Sequence, residues 1–246
     1  MFSVNAVESL AFVNAPYLYE NICLVYPLTV GNVLSLQEKY DIALQILTID
    51  RIKISNLLKE KGIIVEEFKI PEPFDYLLDS AELNDSFLLE LKNAFRTFIK
   101  EEITILFDLR KIVIGSANEK RILNSSNFPQ FQSILRIQNK IPEVTPIPEK
   151  ESDIARKFRE KREQRDLIKR KQESKNAPSF TTLMSALCAY GSGITPLNIK
   201  DISIFSFYTL SHINSARERY DIEMHYLYAG ADPKKLKPKY WITEEE

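Results

Sequence analysis

The sequence predicts a mainly α-helical protein with a minor β contribution, in which an α+β N-terminal part precedes a helical C-terminal domain. Glycine supports this prediction, because the chain has only 6 glycines in 246 residues, against an average usage of about 7%. Tight hairpins and phosphate-binding loops require glycine, so its scarcity argues against them and favours helices. Several segments also repeat their apolar residues at helical spacing, whereas the segments typical of strands are short and lie before residue 115.

The first predicted elements are a short strand at 21–27 and a helix that begins after Thr29. The Thr29 hydroxyl can accept a hydrogen bond from an unpaired amide of the first helical turn. A shorter helix is expected around 55–61, where Gly62 can take the left-handed conformation that closes it. The apolar residues of the first helix fall on one face: Val30, Val33, Leu34, Tyr40, Leu44 and Leu47.

Two helices and a hairpin are expected next. Residues 74–81 predict one or two helical turns, and Asn84 predicts the cap of a longer helix with Phe87, Leu91, Phe95 and Phe98 on one face. Residues 103–114 alternate apolar and polar positions around a polar tetrad, which indicates a β-hairpin. Pro129 is expected in the first turn of a helix that carries Phe131, Ile134, Leu135 and Ile141.

The C-terminal part predicts two helices. Ser179 can cap a helix that runs through Tyr190, and a glycine-containing loop follows. A long helix, in one or two pieces, extends to about Tyr228, and Gly230 stands where a terminating glycine is expected. The apolar residues of the long helix recur at helical spacing: Ile202, Phe205, Ile213, Ala216, Tyr220, Met224 and Leu227.

Proline and charge define the predicted domain organisation. Residues 141–177 are expected to form a proline-rich linker and a charged helix between an N-terminal domain, 1–140, and a C-terminal domain, 178–246. Neither a helix interior nor a central strand accommodates the three closely spaced prolines of the linker: Pro142, Pro146 and Pro148.

The charged segment 150–175 is the compositional outlier. It contains eleven basic and six acidic residues, a net charge of +5, so the remainder of this chain of net charge −1 carries −6. Three interpretations stay open: a solvated helix that pairs its own charges, docking on an acidic partner or on the acidic remainder, and contact with nucleic-acid phosphates. The basic candidates for such contacts are Arg159, Arg162 and Lys169.

No residue pattern in the chain indicates catalysis, a cofactor or a metal. His212 and His225 are thirteen residues apart, and neither lies near a cysteine at a zinc-site spacing. No nucleophile elbow or phosphate-binding loop is present. Cys23 and Cys188 are expected to be small buried side chains in a reducing compartment rather than a disulfide. The sequence therefore predicts no catalytic residue, no cofactor and no metal ligand.

Membrane insertion and secretion are not expected either. The chain has no run of about 18 apolar residues, and residues 1–16 lack the basic region of a signal peptide. The basic C-terminal segment KKLKPKYW can be a patch for phosphate or a membrane surface, or an apolar anchor or interface around Trp241. The anchor or interface is the favoured interpretation.

The C-terminal region resembles a known class of proteins. The segment RERYDIEMHYLYAGADPKKLKPKYWI ends an amphipathic helix and leads through a lysine-rich step to Trp241. It follows TTLMSALCAYGSGITPLNIKDISIFSFYTLSHI, which predicts a helix, a loop and a second aromatic helix. Together, residues 180–242 resemble small helical proteins of tailed bacteriophages that act in tail assembly, as chaperones or in tail and baseplate morphogenesis.

This resemblance implies a non-enzymatic protein that binds tape-measure, tail-tube or baseplate subunits, in the host cytoplasm during assembly or in the virion. The alternative from another class is a nucleic-acid-associated adaptor that uses 150–175. Aromatic residues of the last helix and the tail are the main candidate partner contacts, in addition to the three basic residues named above: Phe205, Tyr208, Tyr220, Tyr226 and Trp241.

Overall fold

The computed structural model confirms a mainly α-helical fold with a minor β contribution: 60% of it is helical, and the part of the chain that it describes contains two small sheets. It describes residues 2–60, 62–63, 70–115, 121–142, 178–190, 193–232, 236 and 238–240, with Ser152, Ile154, Phe158, Lys161 and Arg165. The predicted linker and most of the charged segment lie outside the described residues, and so do residues 64–69. No helix in the described part is both long enough and apolar enough to cross a bilayer.

The chain begins with a helix and a hairpin that the sequence only partly indicated. Helix α1 (Val4–Phe12) was not predicted, because Val7 and Ala11 are its only buried residues. Strands β1 (Tyr17–Tyr19) and β2 (Cys23–Val25) pair antiparallel. The predicted strand at 21–27 is therefore confirmed, and its partner was missed because three residues show no clear alternation.

The helix predicted after Thr29 is two helices, α2 (Val30–Leu36) and α3 (Glu38–Leu47). The chain turns at Gln37, whose φ of 51° lies in the left-handed region. Because of this turn the two helices do not share the single apolar face that the sequence predicts. Leu34, which was expected on that face, is exposed. The predicted Thr29 cap is confirmed as a capping box, in which Asn32 N donates to Thr29 Oγ1 and Thr29 N donates to Asn32 Oδ1.

Three helices follow α3. Helix α4 (Arg51–Glu60) starts earlier than predicted and is followed by Gly62 at a φ of 74°. Helix α5 (Pro73–Leu83) is longer than the one or two turns expected. Helix α6 (Asp85–Ile99) begins at the predicted cap, where Asn84 Oδ1 accepts hydrogen bonds from Ser86 N and Phe87 N at 2.9 and 3.2 Å.

The predicted hairpin at 103–114 is confirmed and belongs to a three-stranded antiparallel sheet. Strands β3 (Ile103–Leu106) and β4 (Lys111–Ile114) pair with Ile103 opposite Ile114. Strand β5 (Ile122–Leu123), too short to be recognised in the sequence, pairs with the outer side of β4.

Helix α7 (Phe128–Gln138) lies at the centre of the main core. The predicted first-turn proline is in place, and Phe131 stacks on Phe95 of α6 with ring centroids 5.6 Å apart. Phe128 packs against Phe74 of α5 at 5.2 Å. These aromatic contacts join α7 to α5 and to α6, and buried aromatic rings contribute large apolar areas to a core.

Polar side chains of α7 are buried as well. Gln132 Nε2 donates hydrogen bonds to the carbonyl oxygens of Leu47 and Ile49, both at 2.9 Å. Arg136 Nη2 donates to the Thr48 carbonyl oxygen between them. The carbonyl groups of the turn that joins α3 to α4 are therefore hydrogen-bonded by side chains of α7.

Both cysteines are free, as the sequence predicted. Cys23 is buried, and burial together with the nearby Glu101 carboxylate raises the pKa of its thiol to about 12. Cys188 is only partly buried, which corrects the expectation that both are interior residues. The thiolate is the reactive form of cysteine, so the two thiols differ in accessibility and in reactivity.

We expect a thiol-specific reagent at pH 7.5 to label one cysteine in the folded protein and two in denaturant. Cys23 stays protonated and shielded, so the labelled site should be Cys188, which peptide mapping can identify. Rapid labelling of Cys23 in the native state would show that its thiol is not buried.

Asn84→Ala should lower the free energy of unfolding by about 1 kcal/mol, because two amides of the first turn of α6 lose their acceptor. Urea denaturation measures this change. Asn93→Ala is the matched control, since Asn93 lies on the exposed face of the same helix. It should be neutral or slightly stabilising, because alanine has the higher helix propensity. Equal losses for the two variants would refute the capping role of Asn84.

A candidate protein-interaction surface on the C-terminal helix

The two predicted C-terminal helices are confirmed, and so is the predicted cap at Ser179. Helix α8 (Phe180–Ala189) is capped by Ser179, whose Oγ accepts from Thr182 N at 3.1 Å. Helix α9 (Ile204–Tyr228) is one unbroken helix, and Ser203 Oγ accepts from Ser206 N at 3.0 Å. Gly230 follows with a φ of 92°, as expected of a terminating glycine.

The start of α9 is buried against the N-terminal part of the chain. Val30 N donates to the Ile202 carbonyl oxygen at 2.9 Å, and Ile204 N donates to the Leu28 carbonyl oxygen at 2.8 Å. Ser206 Oγ donates to the carbonyl oxygen of Phe12 at the end of α1. This end of the helix is therefore fixed by backbone hydrogen bonds to segments far away in sequence.

Apolar packing reinforces these hydrogen bonds. A small second core contains Val30, Leu187, Ile199, Ile204 and Phe207, and Phe207 lies 4.7 Å from Phe180 between ring centroids. The predicted boundary between 1–140 and 178–246 stays a prediction, but residues on its two sides are in direct contact here. The sequence does not indicate this contact, which no local pattern encodes.

Gly31 lies at a close approach between the two sides. A Cβ atom at Gly31 would lie 2.9 Å from the carbonyl oxygen of Lys200 and 3.3 Å from its Cβ. Lys200 belongs to a short 3-10 helix (Ile199–Asp201) that packs on α2. Only glycine allows this distance, because real Cβ contacts are not shorter than 3.0 Å.

Phe205, a predicted partner contact, is part of the interior. Its side chain is 5% exposed, and Lys140 Nζ lies 4.0 Å from the ring centroid, in cation–π geometry. Tyr208, one turn later, is 39% exposed. Its partial burial, with a smaller contribution from Asp41, raises the pKa of the Tyr208 hydroxyl. The structure thus separates two residues that the sequence placed in one group.

An open cleft of about 690 Å³ lies between the end of α7, helix α8 and the first half of α9. Its lining combines apolar groups with polar ones, among them Lys140, Leu183, Tyr208, His212 and Ile213. His212 is exposed there, and no group of three metal-binding side chains occurs among the residues that the structure describes. The cleft is open to solvent, so its lining forms a concave surface and not an enclosed cavity.

The second half of α9 presents aromatic side chains to solvent. Tyr226 is 59% and Tyr228 is 80% exposed, and Ile222 is exposed on the turn before them. Tyr220 is half-buried and contacts Tyr240 edge-to-face, with centroids 5.6 Å apart. Exposed tyrosines on a fixed helix are typical of interface hot spots, so Tyr220 and Tyr226 remain candidate contacts. Trp241, Arg159, Arg162 and Lys169 lie outside the described residues.

One comparison with known proteins gives a match in this region. Residues 169–246 match a family model described as the YomV second domain, which includes all of α8 and α9. YomV is phage-related and comes from a Bacillus prophage, so the match suggests a phage protein. It supports the phage association that the resemblance at 180–242 implied. No curated protein and no solved structure matches the chain.

Gly31→Ala should destabilise the protein by about 1–3 kcal/mol, because the new methyl group collides with the Lys200 carbonyl. The sign of the change in the free energy of unfolding is informative, since replacing glycine by alanine in an unhindered helix is stabilising by roughly 1 kcal/mol. Urea denaturation measures this change. Gln45→Ala is the control, because Gln45 lies at an exposed position of the next helix, α3; it should change stability by less than about 0.5 kcal/mol. A more stable Gly31→Ala variant would show that α2 and the 3-10 helix are not in contact.

Proposed function

We propose that this chain is a phage structural or assembly protein that acts through protein–protein contacts and not through catalysis. The observation that carries the proposal is the exposed aromatic half of α9, which lies in the region that matches a phage-related domain. Large aromatic side chains that remain exposed in the single chain are the side chains that a partner covers most favourably.

The architecture of α9 supports a docking role. Its first turn is hydrogen-bonded to α1 and to the segment before α2, so the helix axis is fixed before any partner binds. Binding of a partner therefore costs little conformational entropy, because the exposed half of α9 is already ordered, and this favours affinity. The adjoining cleft offers a second contact area on the same helix.

The tail or baseplate is the assembly in which we place this protein, and tape-measure, tail-tube or baseplate subunits are the proposed partners. The support is the resemblance of 180–242 to tail morphogenesis proteins. A chaperone and a structural component differ in one observable, because only the component remains in finished particles at a fixed ratio to the other subunits. Quantitative mass spectrometry of purified particles separates the two roles.

We expect the combined variant Ile222→Ala, Tyr226→Ala and Tyr228→Ala to lose partner binding, with a fall in infectious particles of at least about tenfold. Its free energy of unfolding should stay near that of the wild type, because all three side chains are exposed. Leu18→Ala with Ile42→Ala is the control, since it removes exposed apolar side chains from the N-terminal part. Normal particle yield from the α9 variant, with normal folding, would overturn the proposal.

A further inference from the structure

The charge imbalance of the chain comes from two segments only. Residues 72–90 contain six acidic residues and no basic residue, and 150–175 carries +5. The rest of the chain contains 22 basic and 22 acidic residues and is neutral. The acidic residues of the first segment all lie on α5, on the start of α6 or beside them: Glu72, Asp75, Asp79, Glu82, Asp85 and Glu90.

Half of these acids are paired within the chain. Arg110, in the turn between β3 and β4, binds Asp75 at 2.8 Å and also binds Asp79. Arg51 lies 3.6 Å from Glu72. In the described part of the chain, the other three acids have no basic side chain within 4.0 Å: Glu82, Asp85 and Glu90.

Two leucines are exposed among the unpaired acids. Leu83, the last residue of α5, is 87% exposed, and Leu89 on the solvent face of α6 is 61% exposed. We call Glu82, Leu83, Asp85, Leu89 and Glu90 the acidic α5–α6 face. Exposed leucines among charges of one sign favour a partner that brings both apolar side chains and the opposite charge.

The basic segment presents such a combination. Ile154, Phe158, Lys161 and Arg165 are helical and exposed, and their spacing of four, three and four residues places them on one side of a helix. Ile154 and Phe158 are each 70% exposed. We call these four residues the basic helix face. It offers two apolar side chains followed by two cations, against two leucines and three anions on the other surface.

We propose that the basic helix face of one copy of this protein docks on the acidic α5–α6 face of a second copy. The two surfaces match in charge and in apolar content, and neither covers the other within a single chain, where the apolar side chains of both are exposed. Every copy carries both surfaces, so the contact is heterologous and propagates head to tail into a ring or a filament. The proposal goes beyond the function proposed above and does not depend on any phage partner.

Electrostatics dictates how this association should respond to salt. Exposed charges are screened over about 10 Å at 0.1 M ionic strength and over about 3 Å at 1 M. Complementary surfaces therefore associate at low salt and separate at high salt. The leucines, Ile154 and Phe158 add a contribution that salt does not screen, so an apolar-to-polar substitution weakens the contact at every salt concentration.

The test is sedimentation velocity of the full-length purified protein, across a range of protein concentrations at low and high salt. The basic-reversed variant is Lys161→Glu with Arg165→Glu, and the acid-reversed variant is Glu82→Lys with Glu90→Lys. Lys39→Glu with Lys53→Glu is the matched control, because it reverses two exposed lysines of α3 and α4 that belong to neither surface. Circular dichroism confirms that each variant folds.

The wild type and the control should exceed the monomer mass of 28.5 kDa at low salt and return to it at high salt. Each reversed variant alone should remain monomeric, with a dissociation constant raised at least about tenfold. An equimolar mixture of the two should form dimers, because the intact acidic face of one binds the intact basic face of the other. Phe158→Ser should also weaken association, with no change in charge.

Three results would overturn the proposal. The first is a wild type that is monomeric at every concentration at low salt. The second is an association that the reversed variants leave unchanged. The third is a mixture that stays monomeric, which would indicate that each basic helix docks within its own chain. All three results come from the purified protein alone, so they are independent of the mass spectrometry and infectivity measurements on phage particles.

Discussion

The hydrogen bonds between α7 and the turn after α3 are the interaction on which the rest of the fold depends. Three consecutive carbonyl groups, of Leu47, Thr48 and Ile49, point to side-chain donors of Gln132 and Arg136. A buried carbonyl without a donor is costly, so this turn reaches the interior only where α7 supplies donors. With the turn in place, α3 and α6 pack closely and the aromatic cluster around Phe131 is enclosed.

The same helix connects the core to the C-terminal part. Just beyond the last turn of α7, Lys140 reaches the ring of Phe205 at the start of α9. Backbone hydrogen bonds at Val30 and Ile204 fix that start against the N-terminal part. The long helix therefore begins inside the protein and ends in solvent, and its exposed tyrosines are held on a rigid base. This arrangement suits a protein that recognises others through a preformed surface.

Charge has a different role from apolar packing in this protein. The net charge of −1 is the sum of two oppositely charged regions and a neutral remainder. The acidic region lies on the surface of α5 and α6, where Arg110 and Arg51 pair with only some of its carboxylates. Exposed ion pairs contribute little to stability, so the charges of these regions add little to the stability of the fold. In the association proposed above, complementary charge would select the partner and its orientation.

The sequence by itself determined the features that depend on neighbouring residues: the fold class, the caps at Thr29, Asn84 and Ser179, the 103–114 hairpin and the terminating Gly230. Caps and periodicity are local, so the sequence displays them. Only the tertiary structure decided the turn at Gln37, the burial of Phe205 and the contact of Gly31 with Lys200. Each of these arises from contacts between segments distant in the chain, or from backbone conformations that such contacts stabilise. A single sequence does not show which distant segments will meet.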